Sequence, residues 1–320
     1  MKTLSELTEV YYKTLYPTLE KLEEQRKSIR YRMVVGGIII SVIVVFIIKS
    51  FEFVISNNPD ILIFIGMGYI MVMAFGYKFM TKDYKVEFKQ KVIEPLIGMI
   101  DKNLHYSSDT HIPKSFFERS KFFSRVDKFD GDDYVSGTVD GIRLDFSDVI
   151  AKRRHKDKNG HDEYSTIFQG LFIVAEFNKD FSGRTIVLPD TAQSLFGDLV
   201  GGWMQSNNIR RDELVKMDNN EFEKAFVVYA TNQIEARYIL SHTIMSKLLN
   251  LKKRSKHPLY VSFVGKHIHI AIEYNKDLFE PSIFHSLLEY KIAMEYVQTL
   301  HLAIGIVQEL KLNQKLWSKR

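Results

Sequence analysis

Histidine gives this chain its best-spaced pair of candidate metal ligands. His267 and His269 stand two residues apart in an apolar run typical of a β-strand, so both side chains project from one face of that strand. A zinc ion needs at least one more protein ligand, and the chain has no cysteine to supply a thiolate. No acidic pattern accompanies the pair. We therefore expect both histidines to lie on a solvated strand face, and we expect neither a metal site nor a cofactor.

An acidic run offers a second candidate metal site. Asp130, Asp132 and Asp133 resemble the start of a calcium-binding loop. The required glutamate is missing, because the twelfth position of a loop begun at Asp130 is Gly141. The pattern therefore favours a turn that precedes a strand.

Catalytic and phosphate-binding motifs are equally weak. Gly201-Gly202 lacks the lysine and hydroxyl residue of a phosphate-binding loop. Ser107, Ser108 and Ser194 stand outside any nucleophile-elbow motif, and His242 has no evident partner for proton transfer. The absence of cysteine excludes disulfides, cysteine nucleophiles and cysteine-held iron–sulfur clusters. No catalytic residue can be assigned from the sequence.

The chain is basic overall, with a net charge of +5 and a pI near 9.0. Two basic runs, KRRHKDK from Lys152 and KKRSK from Lys252, have the composition of surfaces that bind nucleic acid or anionic lipid. Lipid is the better interpretation if the chain is held at a membrane. We expect the bilayer and its anionic head groups as a partner, and no nucleic acid.

Two uncharged apolar runs dominate the N-terminal third of the chain, at 33–48 and 61–77. A membrane-spanning helix needs roughly 20 residues, a length that the apolar and aromatic flanks of each run supply. Buried core helices are one alternative and a cleaved signal peptide is another. Two such runs in succession, preceded by a long polar segment, favour transmembrane helices joined by a short loop.

The basic residues around these runs predict their orientation. Lysine and arginine are dense before the first run and after the second, whereas the loop 49–60 holds Lys49 alone. The positive-inside rule then places both termini in the cytoplasm. Below the membrane, Lys78, Lys82, Lys85, Lys89 and Lys91 are expected to contact anionic lipid.

Apolar residues at helical spacing flank both runs. An apolar stripe precedes the first run and consists of Leu4, Leu7, Tyr11, Leu15, Leu19 and Leu22, with Pro17 marking a break between two helices. A similar stripe with Pro95 follows the second run. These stripes predict helical stalks, whose apolar faces either pack together or dock partner helices. Glu23 and Lys27 have the spacing of a favourable ion pair on the first stalk.

Hairpin signals dominate the remainder of the chain, at Asp140-Gly141 and at Gly265-Lys266. We predict strands at 168–177, 184–188 and 226–229, an exposed loop at 151–166, and helices at 191–204, 232–250 and 284–312. The fold class is therefore α+β: a two-helix transmembrane hairpin, then a cytoplasmic domain of antiparallel strands with a long C-terminal helix. The predicted domains are 1–32 (cytoplasmic N-terminal helices), 33–80 (hairpin), 81–100 (helical stalk) and 101–320 (cytoplasmic α+β domain).

Two long segments carry a resemblance to a known family. These are FQGLFIVAEFNKDFSGRTIVLPD at 168–190 and FEKAFVVYATNQIEARYILSHTIMSKLLNL at 222–251. They resemble a bacterial membrane-protein family defined only as a domain of unknown function, with two N-terminal spans and often found beside LemA-type proteins. The resemblance implies an inner-membrane location and a LemA-like membrane protein as a neighbour. It implies no substrate, cofactor or catalytic residue.

We therefore expect a membrane-anchored interaction or scaffold module. The alternative is a tethered enzyme or ligand-binding domain, whose polar residues would come together from distant segments. A transporter is less well supported, because neither apolar run carries an ionisable residue at its centre. Assembly of the chain with itself stays open.

Overall fold

The computed structural model describes residues 4–123, 125–177, 180–190 and 213–310. The chain divides into two compact units. The helical unit comprises Thr3–Leu96 and Glu280–Val297, and the sheet unit comprises Ile97–Phe279 and Gln298–Arg320 together with Met1–Lys2. A stretch from late in the chain therefore folds with the N-terminal helices.

The helical unit begins with a short helix and two long ones. Pro17 lies in the first turn of the second helix, where the missing N–H of proline leaves no hydrogen bond unmade, and this confirms the predicted break. A π-helical segment, Lys89–Ile93, directly follows the second long helix. The helices are α1 Leu4–Thr14, α2 Tyr16–Ser50, α3 Glu52–Asn57, α4 Ile61–Phe88 and α5 Glu94–Ile100.

The predicted stripes form the core of this unit. Leu7, Tyr11, Leu15, Leu19 and Leu22 are all buried, and so are Phe88, Val92, Ile93 and Leu96 from the stretch after α4. Residues Glu280–Val297, called the late segment below, add Leu287 and Tyr296 to this core. The Tyr296 ring lies 5.2 Å from that of Phe88. Packing within the unit thus accounts for the burial of these residues.

The sheet unit contains nine antiparallel strands in the order β1-β2-β3-β4-β9-β8-β5-β7-β6. Among the described residues, four helices lie wholly within the sheet unit: α6 Lys114–Ser120, α7 Asn220–Glu223, α8 Gln233–Ile239 and α9 His242–Ser255. The strands are β1 Leu104–Ser107, β2 Lys128–Val139, β3 Ile142–Lys156, β4 Asp162–Glu176, β5 Arg184–Pro189, β6 Glu213–Leu214, β7 Phe226–Ala230, β8 Leu259–Val264 and β9 His267–Glu273. The α+β class with antiparallel pairing is confirmed.

The predicted hairpins are also confirmed, and the helix predicted at 232–250 is divided into α8 and α9. Asp140 and Gly141 both adopt positive φ, as the tight turn between β2 and β3 requires. Gly265 has positive φ in the turn between β8 and β9. Ser241 is the N-cap residue of α9.

The predicted loop at 151–166 is wrong. β3 runs on to Lys156 and β4 starts at Asp162, so most of that segment forms a long, exposed hairpin. The sequence shows no alternation of apolar and polar residues there, because neither face of this end of the hairpin is buried.

The central strands β9 and β8 and the second half of β4 are buried on both faces. An aromatic cluster covers one face, where the ring of Phe117 lies 5.0 Å from Phe172 and 5.7 Å from Phe168. Burial on both faces explains why β8 and the second half of β4 have nearly continuous apolar runs rather than alternating ones.

The last described helix is α10, Tyr290–Glu309, which starts in the helical unit and continues in the sheet unit. Residues 284–289, predicted as its first turns, form no helix. The predicted helix at 191–204 lies outside the described residues. The predicted domain boundaries stay a prediction, and in the structure residues 280–297 cluster with the helical unit.

Candidate functional site

The apolar runs lie in α2 and α4, and each helix is long and apolar enough to cross a membrane. None of the most apolar stretch of either helix, both fully described, is buried within the protein. Large side chains stand out into the surroundings all along them. The most exposed include Ile38, Val42, Phe46, Phe64, Ile70, Met71 and Phe75.

Few contacts join the two apolar runs. The hydroxyl of Ser41 lies 3.0 Å from that of Tyr69 and donates a hydrogen bond to the carbonyl of Gly37 at 2.8 Å. A Cβ atom at Gly37 would come within 3.3 Å of the Met73 methyl group, but Gly36, Gly66 and Gly68 have open space around them. Of these four glycines, only Gly37 lies where a side chain of the other helix comes close enough to favour glycine.

A cavity of about 460 Å³ opens beside the start of the first apolar run. Its wall is formed by Met33, Gly37 and Ser41 of α2 together with Phe284 from the late segment, whose side chain is 65% exposed. Arg30 supplies the cavity's cationic group. The result is an apolar slot with a positive charge among its walls.

A buried ion pair between Glu23 and Arg26 lies on α2. Arg26 binds Glu23 through both Nε and Nη2, at 2.9 and 2.7 Å. Each partner also holds the late segment: Arg26 Nη1 donates to the carbonyl of Ile283 at 2.6 Å, and Glu23 accepts the N–H of Leu287 at 3.1 Å. Burial acts to raise the pKa of Glu23, but the hydrogen bonds from Arg26 and Leu287 outweigh it and lower that pKa.

The sequence suggested a different partner for Glu23. The predicted pair with Lys27 is replaced by the pair with Arg26, because Arg26 also reaches the late segment. Leu287 lies 264 residues from Glu23 along the chain, so no local pattern could have revealed this contact.

A second ionic cluster forms around Glu280. Its carboxylate oxygens lie 2.7 Å from Lys85 Nζ and 2.9 Å from Lys89 Nζ, and the Lys89 side chain is buried. The Tyr296 hydroxyl donates to the Glu280 carbonyl at 2.7 Å. Lys91 pairs with Glu87. Of the lysines expected to contact lipid, Lys85, Lys89 and Lys91 thus lie in ion pairs, whereas Lys78 and Lys82 are exposed.

The expected solvated face is wrong for His269, which is buried. Its Nδ1 lies 3.4 Å from the hydroxyl of Ser262, and its ring stacks on Phe172 with centroids 6.3 Å apart. Burial, helped by the neighbouring His267, lowers the pKa of His269 to about 3. Burial also lowers the pKa of the more accessible His267. His269 is therefore neutral at pH 7 and acts as a core residue.

The acidic run occupies a strand rather than a turn before one. Asp130, Asp132 and Asp133 all lie in β2, at an irregularity in its pairing with β3. Asp133 has positive φ and is buried, and its carboxylate accepts a hydrogen bond from the Tyr106 hydroxyl. Within the described residues, no group of three or more histidine, aspartate or glutamate side chains is placed to hold a metal ion.

The remaining candidate residues do not assemble into a site. Ser107 hydrogen-bonds to Asp109 at 3.1 Å, and His242 begins α9. Glu235 accepts hydrogen bonds from the backbone N–H groups of Ser182 and Gly183. Ser194 and Gly201-Gly202 lie outside the described residues.

Comparison with known proteins gives limited information. The crystal structure of the mycobacterial trehalose monomycolate transport factor A, TtfA, is similar over 65% of this chain and 88% of that one, with 10% sequence identity and a TM-score of 0.34. No curated protein matches the chain. Residues 166–312, which include both segments that carry the family resemblance, match the family described as "Protein of unknown function (DUF3137)".

Proposed function

We propose that the chain is a membrane-anchored interaction module, with α2 and α4 crossing the inner membrane and the sheet unit in the cytoplasm. The observation that carries this proposal is the unburied apolar surface of both helices. An apolar surface of this extent is unfavourable in water and marks a membrane or protein contact. Length, composition and the absence of a central charge all favour lipid.

The proposed orientation follows from charge. Arg30 and Arg32 precede the first apolar run, Lys78 and Lys82 follow the second, and Lys49 alone lies between the runs. Basic residues concentrate on the cytoplasmic side of spanning helices. Both termini would then be cytoplasmic, with residues 49–60 on the other side.

The slot beside Arg30 supports contact with anionic lipid at the cytoplasmic surface. Its apolar walls suit an acyl chain, and the guanidinium of Arg30 suits a phosphate head group. Exposed Lys78 and Lys82 add positive charge. Lys85 and Lys89 contribute less to lipid binding, because both are paired with the carboxylate of Glu280.

The two ionic clusters support a role in which the membrane helices also bind a partner, besides attaching the chain to the membrane. They fix residues 280–297 to the helices that continue from the apolar runs. A partner that binds one of these helices would therefore also contact a segment from late in the chain. A LemA-like membrane protein or a second copy of the chain are the partners we propose.

A pair of matched substitutions tests the anchor. Ile70 in α4 and Ile234 in α8 are 67% and 82% exposed. An aspartate at the centre of a spanning helix opposes insertion by about 2.5–3.5 kcal/mol. We expect Ile70→Asp to lower the fraction of protein that resists alkaline carbonate extraction, and Ile234→Asp to leave it unchanged. Equal behaviour of both variants, or extraction of the unmodified chain, would contradict the anchor.

Affinity capture tests the interaction role. The full chain would be purified from its native membranes in mild detergent. The Ile234→Asp variant, expressed to the same level, would be purified in parallel for comparison. Recovery of a LemA-like protein, or of a differently tagged copy of the chain, would support the proposed partners. Recovery of the chain alone under cross-linking conditions would argue against them.

A further inference from the structure

A cleft of about 510 Å³ lies in the sheet unit, outside the helical unit that holds α2 and α4. It is formed by α7, the two residues between α7 and β7, and the last turns of α9 with the residues that follow it. This volume is in the usual range for small-molecule sites, which is roughly 300–1,000 Å³. Its ionisable lining consists of Lys224, Lys252, Lys253, Lys256, His257 and Glu221.

Positive charge dominates this lining. Among the described residues that line the cleft, Glu221 is the one carboxylate, and Lys253 pairs with it at 2.9 Å; Asp190 is not part of the lining but is near enough for its charge to act on Lys252. Lys224, Lys252 and Lys256 then face the cleft without a second carboxylate among its described walls. Lysines in the last turn of a helix are favoured by the helix dipole, which accounts for Lys252 and Lys253. It does not account for Lys224, which comes from a different element.

Lys252 is held in place inside the cleft. Its Nζ donates a hydrogen bond to the carbonyl of Ala225 at 2.8 Å and lies 4.9 Å from the centroid of the Phe226 ring. Burial lowers the pKa of Lys252, although the charge of Asp190 acts in the opposite direction. An anion bound beside this ammonium group would offset the unfavourable effect of its burial.

The chain reversal after α9 brings the last lysine to the same place. Lys256 adopts positive φ, and its N–H closes the helix on the carbonyl of Lys252 at 3.1 Å. This reversal turns His257 into the wall of the cleft, where its ring packs against Tyr274 with centroids 4.4 Å apart. Lys224 and the C-terminal end of α9, which are separate in the sequence, thus direct ammonium groups at one concave surface.

We propose that this cleft binds a small phosphorylated ligand that carries two or more phosphate groups. A single carboxylate could neutralise only one of the ammonium groups, whereas linked phosphates can contact several at once. Lysine binds phosphate as a point charge and needs no planar geometry. The phosphates could belong to a free metabolite or to a lipid head group, because the recognition chemistry is the same. The proposal stands whether or not α2 and α4 cross a membrane.

Titration of the full chain in a neutral detergent with tripolyphosphate tests the proposal. Lys224→Gln/Lys256→Gln removes two exposed lysines from the cleft, and Lys156→Gln/Lys158→Gln removes two exposed lysines from the β3–β4 hairpin. Both variants have the same net charge. We expect the cleft variant to bind about tenfold more weakly or worse, since hydrogen bonds between ammonium and phosphate groups are charge-assisted and strong. The hairpin variant should bind as the unmodified chain does.

Competition experiments with short-chain lipids identify the source of the phosphate. Displacement of tripolyphosphate by short-chain phosphatidic acid, but not by short-chain phosphatidylcholine, would support a lipid head group. Failure of both lipids to displace it would support a free ligand. Equal loss of affinity in the two variants, or no binding by the unmodified chain, would overturn the proposal. So would binding of a single-stranded oligonucleotide in preference to tripolyphosphate. If the double variant does not fold, Lys224→Gln alone takes its place.

Discussion

Arg26 and Glu23 form a bidentate ion pair one helical turn apart on α2, with distances of 2.9 and 2.7 Å and both side chains buried. A buried pair of this kind adds little net stability by itself, because removal of both charges from water offsets their attraction. Its effect is to position other groups. Here those groups are the carbonyl of Ile283 and the N–H of Leu287.

The first prediction concerns that pair. Arg26→Met should destabilise the helical unit by about 3–5 kcal/mol, because it leaves the buried carboxylate of Glu23 without its partner. Hydrogen exchange should rise at residues 280–290 before it rises elsewhere. The measurement is urea denaturation and hydrogen–deuterium exchange of the full chain in detergent. Lys13→Met removes the exposed partner of Glu9 and should change neither quantity; a similar effect of both substitutions would count against the proposed role of Arg26.

A second prediction concerns Glu280. Glu280→Gln should lower the free energy of unfolding by about 1.5–3 kcal/mol, since the buried ammonium of Lys89 loses a charged acceptor. Thermal denaturation of the full chain in detergent would measure the loss. Glu118→Gln removes a half-exposed carboxylate paired with Lys114 and provides the control. A melting temperature equal to that of the control would show that the Glu280 cluster does not hold the segment.

A third prediction concerns pH. The pKa of His269 is about 3 in the folded chain, against about 6.5 in an unfolded one, so the unfolded state binds more protons between these values. Stability therefore falls as the pH drops below about 6.5. At about pH 5 the loss attributable to this histidine is about 2 kcal/mol. Urea denaturation of the chain and of His269→Gln across pH would measure it.

The variant should show a shallower dependence on pH than the unmodified chain. His161→Gln changes an exposed histidine of the β3–β4 hairpin and should leave the dependence as it was. Identical pH profiles for His269→Gln and the unmodified chain would refute the buried, neutral state of His269.

A fourth prediction tests the sheet. A Cβ atom at Gly170 in β4 would lie 2.3 Å from the carbonyl oxygen of Ile272, and the backbone there has a φ of 148°. Gly170→Ala should destabilise the sheet unit by about 3 kcal/mol or more, because backbone must move. Gly98→Ala has open space in α5 and should stabilise by up to about 1 kcal/mol. Thermal denaturation compares the two, and tolerance of Gly170→Ala would contradict the pairing of β4 with β9.

Local signals in the sequence identified much of the fold. Asp140-Gly141 and Gly265-Lys266 carry their turn chemistry within two residues, and the stripe from Leu7 to Leu22 carries its helical period within a few turns. The errors arose where long-range contacts decide. His269 alternates with apolar residues as a surface residue would, but a second apolar layer covers its face of β9.

Sequence reasoning missed both ionic clusters and the phosphate cleft for the same reason. Glu280 lies in an irregular stretch with no period, and its partners Lys85 and Lys89 are far away along the chain. The run from Lys252 is visibly basic, but Lys224, which completes the cleft, stands alone in the sequence. Only the folded chain brings these groups together.

The central claim is that α2 and α4 cross the membrane with residues 49–60 on the far side. The natural absence of cysteine allows a direct test with single substitutions at two exposed positions, Asn57→Cys and Lys158→Cys. We predict that a membrane-impermeant maleimide labels Asn57→Cys in intact spheroplasts and labels Lys158→Cys only after lysis. Labelling of Lys158→Cys in intact spheroplasts, or protection of Asn57→Cys until lysis, would contradict the account.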